Sequence, residues 1–130
     1  MSQKPSILVV DDESGILDTL RILLRNEGFE VTTAQGGRAG LEQIRTGTHD
    51  IILSDVRMPG VGGLDILAAA KEQDSMTPVI LMTAQADLRS AIDALNLGAY
   101  YYIQKPFSND ELVAILRRAC EFRQVRVENK

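Results

Sequence analysis

The sequence predicts an α/β fold in which a doubly wound, five-stranded parallel sheet carries helices on both faces. Short apolar runs alternate five times with longer segments of helical periodicity, and this alternation is typical of consecutive β/α units. Three of the runs are apolar on both faces, as strands inside a covered parallel sheet are. The length of 130 residues fits one such domain with its own core.

The five predicted strands differ in polarity. "SILVV", "DIILS" and "PVILM" are almost wholly apolar, whereas "FEVTTA" alternates as an edge strand does, and "YYYI" is the fifth run. In chain order the predicted strands span residues 6–10, 29–34, 50–54, 78–82 and 100–103.

Helical patterns separate the strands, and an apolar stripe on such a helix normally faces the core. The first stripe ends at Gly28, a residue type favoured just past a helix end, and comprises Leu17, Leu20, Leu23 and Leu24. Residues 38–46 and 64–73 form weaker helices. The fourth stripe ends at Gly98 and comprises Leu88, Ala91, Ile92 and Leu95.

The last helix opens with "SNDE", in which Ser108 and Glu111 have the spacing of a capping box. Its stripe comprises Leu112, Ile115, Leu116 and Ala119.

Composition excludes several classes of protein. The 14 basic and 18 acidic residues give a formal net charge of −4, which argues against direct contact with nucleic acid. No apolar run approaches the roughly 20 residues of a membrane span, and the N-terminus does not resemble a signal peptide. Cys120 is the only cysteine, so an internal disulfide and a thiolate metal site are excluded. We expect a cytoplasmic protein without membrane association.

Polar side chains follow four of the five strands. Asp11 and Asp12 follow the first, Asp55 ends the third, Thr83 follows the fourth and Lys105 follows the fifth. Five strands with a polar second strand favour the flavodoxin-like order 2-1-3-4-5 over 3-2-1-4-5-6. In that order, strands 1, 3, 4 and 5 are neighbours, so these side chains meet at one rim and the edge strand contributes nothing.

Three carboxylates at one rim require a cation. Oxygen ligands without histidine or cysteine suit a hard divalent ion, most readily Mg²⁺. Such a site, with a lysine and a hydroxyl, is equipped for phosphoryl transfer, and a carboxylate can itself be the nucleophile. Asp55 is the best candidate because its strand is central and its end faces both the acids and Lys105.

Each residue alone has a simpler explanation. Asp11 and Asp12 are typical helix N-caps, Asp55 is typical of a turn, Thr83 of a helix cap, and Lys105 of a solvated side chain. Their combination, each after a different strand, is hard to obtain by coincidence. His49 is interpreted as a surface residue, and "GVGG" as loop glycine because no phosphate-binding glycine motif is present.

At these residues the sequence resembles a known family. "LVVDDE", "SDVRMPG", "MTA" and "KPF" are similar to the receiver domain of bacterial two-component response regulators, over about residues 5–121. Residues 82–107 resemble receivers that precede NtrC-type transcription activators. We therefore expect a receiver domain at residues 1–121, and at residues 122–130 the start of a linker helix to an output domain.

The resemblance implies that Asp55 accepts a phosphoryl group from the phosphohistidine of a sensor histidine kinase, in a Mg²⁺-dependent reaction. Asp12 and Asp55 would bind Mg²⁺ directly, together with the backbone carbonyl of Arg57, and Asp11 would act mostly through water. Lys105 would contact the phosphoryl oxygens. Such a domain is a signalling switch that controls an output, here transcription, rather than a metabolic enzyme, although it assists its own phosphorylation and dephosphorylation.

The resemblance also implies a cis bond between Lys105 and Pro106 and a switch pair formed by Thr83 and Tyr102. Movement of this pair would change the surface of the fourth helix, fifth strand and fifth helix. The apolar stripe of the last helix continues through Phe122 towards Val125, which favours a homodimer on phosphorylation.

Two further residues are predicted to tune the lifetime of the phosphoryl group. Arg57 and Gln85 each lie two positions past a site residue, so their side chains would overhang the pocket. The sequence departs from the family at Gly62, where aspartate is common, and at Gly40, where alanine is common. These differences concern local helix stability rather than chemistry.

Two other functions remain open at this point. A phosphatase of the haloacid-dehalogenase type would use an aspartyl phosphate, but its Asp-x-Asp motif is replaced by Asp11 and Glu13, and the length leaves little room for its cap region. A stand-alone phosphoryl shuttle would differ from a transcription activator only beyond residue 130.

Overall fold

The structure, a computed structural model, describes the backbone of residues 4–84 and 88–128 and the side chains up to residue 121 within those ranges. Five β/α units follow one another, as predicted. The strands are β1 (Ser6–Asp11), β2 (Glu30–Gln35), β3 (Ile51–Asp55), β4 (Val79–Thr83) and β5 (Tyr101–Gln104). The helices are α1 (Ser14–Asn26), α2 (Gly37–Thr46), α3 (Gly63–Gln73), α4 (Leu88–Asn96) and α5 (Asn109–Glu128).

The strands form one parallel sheet in the order β2-β1-β3-β4-β5, which confirms the predicted order. The chain adds β2 on one side of β1 and adds β3, β4 and β5 on the other side. In such folds, ligands bind in the crevice that this change of side creates between β1 and β3, at the carboxyl ends of the strands.

Helices cover both faces of the sheet, because successive side chains of a strand point to opposite faces. Ile7 and Val9 of β1 pack in one apolar cluster with residues of α1 and α5. Leu8 and Val10 pack in a second cluster with residues of α2, α3 and α4. The nearly continuous apolar runs of β1, β3 and β4 therefore reflect burial on both sides.

The predicted helix ends have local causes. Gly28 follows α1 with a φ of 94°, and Gly98 follows α4 with a φ of 99°, a left-handed conformation that glycine adopts without strain. At the start of α5, the Ser108 hydroxyl accepts a hydrogen bond from the Glu111 N–H at 3.0 Å. This bond satisfies one of the backbone donors left free at a helix start.

The prediction that α4 buries a stripe is wrong. Ala94 is its buried residue, whereas Leu88, Ile92 and Leu95 are 77, 47 and 55% exposed. The reason is topological: α4 packs beside the edge strand β5, so only a narrow line of the helix meets the sheet. Tyr101 of β5 is also exposed.

The two departures from the family pattern do not prevent their helices from forming. A Cβ added at Gly40 would lie 2.9 Å from side-chain atoms of Val10 and Ile66, so glycine allows α2 to pack closely on β1 and α3. At the start of α3, the Gly62 N–H donates to Asp65 Oδ2 at 3.1 Å, so Asp65 caps this helix start.

His49 is more buried than the sequence suggested. Its Nε2 atom is shielded from solvent and has no hydrogen-bond partner among the described residues. Within the described ranges, no helix has the length and apolar character needed to span a membrane.

Candidate functional site

Three carboxylates meet at the carboxyl edge of the sheet. Asp11 ends β1, Asp12 follows it, and Asp55 ends the neighbouring strand β3. Each offers a carboxylate oxygen, and these oxygens lie within 4.8 Å of one another. This arrangement follows from the strand order, because β1 and β3 pair in register up to the residues that precede Asp11 and Asp55.

Asp11 is the most deeply placed of the three. It is fully buried, and its Oδ1 accepts a hydrogen bond from the Glu13 N–H at 3.0 Å. A buried carboxylate requires such donors, because burial removes its hydration. This bond turns the chain from β1 towards α1. The interpretation of Asp11 as a helix N-cap is wrong, because the N-cap of α1 is Glu13.

Lys105 supplies the positive charge of the site. Its Nζ lies 3.3 Å from Asp11 Oδ2 and 3.7 Å from Asp55 Oδ2. The Lys105 N–H donates to the Thr83 carbonyl at 2.6 Å, which joins the ends of β4 and β5. Among the described residues, three carboxylates face this one ammonium, so the cluster carries two uncompensated negative charges when all three are ionised.

The environment raises the pKa of Asp55. Burial is the largest cause, and the charges of Asp11 and Asp12 act in the same direction. The Lys105 ammonium and a hydrogen bond from the Arg57 backbone oppose the rise in this pKa. A bound cation would favour the ionised carboxylate, which is the nucleophilic form.

A divalent cation fits these residues. Clustered carboxylate oxygens are the ligands that Mg²⁺ prefers, and the negative charge that Lys105 leaves uncompensated corresponds to one such ion. Asp12 is only half-buried, so solvent can complete the coordination shell of a metal bound there.

Thr83 and Tyr102 lie on the same face of the sheet. Leu81 pairs with Tyr102 in the β4–β5 register, and Thr83 lies two residues beyond Leu81, on the same face. Thr83 is 1% exposed. The Tyr102 hydroxyl is buried and has no hydrogen-bond partner among the described residues, so the ring is already packed towards the second apolar cluster.

The remaining predicted site residues are located as follows. The peptide bond between Lys105 and Pro106 is cis, the isomer that the resemblance implies. The Arg57 side chain is exposed beside Asp55. Gln85 lies outside the described residues.

Two residues at the end of edge strand β2 also contact the site, so the prediction that this strand contributes nothing is wrong. The Gly36 N–H donates to the Asp11 carbonyl at 2.9 Å, and Gln35 Nε2 donates to the Asp12 carbonyl at 3.3 Å. They supply no ligand but hold the backbone of the acidic turn. Hydrogen bonds to backbone carbonyls leave no residue pattern in the sequence.

Comparison with known proteins agrees with this geometry. The profile of the response regulator receiver domain matches residues 7–117. The chain is 43% identical over 122 residues to the DNA-binding transcriptional regulator NtrC of Escherichia coli K12, which covers 94% of this chain and 26% of that protein. The chain thus spans about a quarter of the length of this relative.

Solved structures show the same fold. A CheY-like response regulator receiver domain protein from Methanospirillum hungatei has a TM-score of 0.91 at 30% identity and covers 96% of this chain and 99% of its own. The response regulator TrrA from Thermotoga maritima, solved in complex with Mg²⁺ and BeF, has a TM-score of 0.80 at 33% identity, with 88% and 98% coverage.

Proposed function

This chain belongs to the response regulator receiver domain family, and we propose that it is a switch in which Asp55 is the phosphoacceptor. The observation that carries the proposal is the convergence of Asp11, Asp12, Asp55 and Lys105 at one edge of the sheet. The family is in general a phosphorylation switch rather than a metabolic enzyme, so the hydrolase alternative has no support here.

The phosphoryl donor is the phosphohistidine of a sensor histidine kinase. An Asp55 carboxylate oxygen attacks phosphorus while the bond between phosphorus and the imidazole nitrogen breaks, and the nitrogen keeps the electron pair. Lys105 contacts the phosphoryl oxygens. Asp12, Asp55 and the Arg57 carbonyl would hold Mg²⁺, with Asp11 acting through water, and the ion would neutralise charge on the transferring group.

Thr83 and Tyr102 carry the signal away from Asp55. The Thr83 hydroxyl moves towards a phosphoryl oxygen, and the space it leaves allows the Tyr102 ring to turn further inward. The surface of α4, β5 and α5 then changes shape. Exposed Leu88, Ile92 and Leu95 on α4 support a role for this surface in binding.

The output is transcription, as in the NtrC relative. Residues 1–121 form the receiver, and residues 122–130 begin a linker helix. The course of α5 up to Glu128 supports the helical character of the segment after residue 121. Arg57 and Gln85 tune the lifetime of the phosphoryl group, and an unchanged dephosphorylation rate after replacing both with alanine would exclude this role.

Phosphorylation at Asp55 can be tested directly. With Mg²⁺ and acetyl phosphate, the phosphoryl group should transfer to Asp55 with release of acetate, and peptide mass spectrometry should locate it there. Asp55→Asn should abolish labelling. Label on Asp11 or Asp12, or undiminished label in Asp55→Asn, would contradict the assignment.

The metal site is tested with Asp12→Ala. Loss of a direct oxygen ligand should weaken Mg²⁺ binding by at least about tenfold, while loss of one repelling charge should raise the stability of the metal-free protein. Titration calorimetry with Mg²⁺ and thermal unfolding in a chelator measure the two effects. Equal Mg²⁺ affinity in wild type and variant would count against the site.

A further inference from the structure

Ser54 is a buried hydroxyl directly before the proposed phosphoacceptor. It is 0% exposed, and its neighbours in register are Val10 of β1 and Leu81 of β4. Both are apolar and fully buried. A hydroxyl in such an apolar layer is unfavourable unless it forms a hydrogen bond. The partner of the Ser54 hydroxyl therefore indicates what this side chain stabilises.

That bond goes to the backbone of the phosphoacceptor. Ser54 Oγ donates to the Asp55 carbonyl oxygen at 3.0 Å. The same peptide group carries the N–H of Val56, which donates to the Met82 carbonyl of β4 at 2.9 Å. The peptide group between Asp55 and Val56 is therefore held at its oxygen by Ser54 and at its nitrogen by β4.

The start of α3 packs against the same peptide group. A Cβ added at Gly63 would lie 2.5 Å from the Asp55 carbonyl oxygen and 2.8 Å from Val56 Cα. The Gly63 N–H donates to the Val56 carbonyl at 2.9 Å. Close packing by Gly63 restricts movement of this peptide group in the direction of α3.

The orientation of this peptide group determines where the reacting atoms lie. It connects the backbone of Asp55 to that of Val56, the residue before Arg57, whose backbone forms a hydrogen bond with the Asp55 carboxylate. An error of about 1 Å in the position of a reacting group can cost about a hundredfold in rate. A hydrogen bond that holds this peptide group therefore bears on the attack by Asp55.

We propose that Ser54 is a positioning residue for phosphoryl transfer, acting through its hydrogen bond to the Asp55 carbonyl. This inference rests on the proposed function of Asp55 as the phosphoacceptor. Ser54 itself touches neither the phosphoryl group nor the metal.

The test measures the rate of phosphorylation by acetyl phosphate at saturating Mg²⁺. Ser54→Ala should lower this rate about fivefold, the effect expected from the loss of one hydrogen bond. Ile52→Val is the matched control, because Ile52 lies on the same face of β3 and is 3% exposed, and the change removes a methyl group but no hydroxyl. Ile52→Val should retain the wild-type rate.

A second pair of variants separates the hydroxyl from packing. Threonine and valine have nearly the same volume, so Ser54→Thr and Ser54→Val disturb the core equally, but only Ser54→Thr keeps a donor. Ser54→Thr should be phosphorylated faster than Ser54→Val. Equal rates in this pair, or a wild-type rate in Ser54→Ala, would overturn the proposal.

Amide hydrogen exchange gives a readout that does not depend on phosphorylation. The Val56 amide should exchange faster in Ser54→Ala than in Ile52→Val, because its peptide group has lost a restraint. If the wild-type protein were not labelled at Asp55, the proposed function would fail. Hydrogen exchange at Val56 would still test whether the Ser54 hydrogen bond restrains this peptide group. Equal exchange rates of the Val56 amide in Ser54→Ala and Ile52→Val would show that Ser54 does not restrain this peptide group.

Discussion

Charge balance around single residues explains why a buried strand ends in acids. Asp11 is fully buried, yet it has Lys105 at 3.3 Å and a backbone N–H at 3.0 Å. These partners offset the hydration that Asp11 loses. Among the described residues, Asp12 forms no ion pair of this kind, and it is only half-buried, so it is the carboxylate most open to an incoming ion.

His49 gives a prediction about pH. Burial is the largest cause of its lowered pKa, while a hydrogen bond with the Gln43 backbone and the charge of Asp50 oppose this. Because the folded-state pKa lies below the ordinary value of 6.5, stability is fully present above that value and falls as pH drops below it. His49→Gln should flatten the dependence of the free energy of unfolding on pH just below 6.5.

Urea unfolding at a series of pH values measures this effect. The His49→Gln protein provides its own control above the ordinary histidine pKa, where both proteins carry a neutral side chain and their slopes should agree. The same pH slope in both proteins below that value would contradict the prediction.

At the scale of elements, close approach of helices depends on particular glycines. A Cβ built at Gly37, the first residue of α2, collides with the backbone carbonyl of Val61, whereas nothing lies within 4 Å of a Cβ at Gly15 in α1. Gly37→Ala should lower the free energy of unfolding by about 2–3 kcal/mol. Gly15→Ala should raise it by about 0.5–1 kcal/mol, since alanine favours the helix.

Denaturant unfolding measures the free energy of unfolding of the two variants, which carry the same substitution in different surroundings. We expect the dependence of this free energy on denaturant concentration to be the same in both. Similar effects of the two changes would show that the backbone of α2 does not depend on this contact.

The helix α4 differs from the others because it buries so little of its apolar surface. Leu88 and Leu95 are exposed, so replacing either with serine should change the free energy of unfolding by less than about 0.5 kcal/mol. An apolar surface that contributes little to stability is available for binding a partner.

At the scale of the whole molecule, we expect phosphorylation to promote a homodimer through the surface of α4, β5 and α5. Driving a two-state switch from 1:99 to 99:1 takes about 5.5 kcal/mol of differential interaction. A phosphoryl group held by Mg²⁺, Lys105 and Thr83, as proposed above, would provide this. The side chains of Phe122 and Val125, which the sequence also assigned to the interface, lie outside the described residues.

Sedimentation with and without beryllofluoride, a phosphoryl mimic, tests the dimer. Wild type should dimerise with the mimic, and Thr83→Ala and Leu95→Ser should not. Ile22→Ser is the matched control, because Ile22 is 61% exposed but lies on α1, which is not part of the surface of α4, β5 and α5. A monomer in every sample would reject dimerisation by this chain, and a wild-type response in Thr83→Ala would reject the Thr83 relay.

Much of this organisation was predictable from local patterns. Apolar runs marked β1, β3 and β4 because both their faces are buried, and Gly28, Gly98 and Ser108 marked helix ends through their own backbone chemistry. The acids were predictable as a group because parallel strands end at a common edge. The predicted burial of α4 failed because periodicity shows which residues share a face but not whether that face meets the sheet.

The sequence by itself determined the five β/α units, the strand order and the set of polar residues at the carboxyl edge, because each depends on short-range periodicity and on residues adjacent to strand ends. Only the tertiary structure decided which of these groups touch. Lys105 lies 94 positions from Asp11, and its side chain reaches Asp11 across the ends of β3 and β4, which lie between β5 and β1 in the sheet. The bond from Ser54 to the Asp55 carbonyl and the collision at Gly37 likewise depend on side-chain and backbone geometry, which residue types alone do not specify.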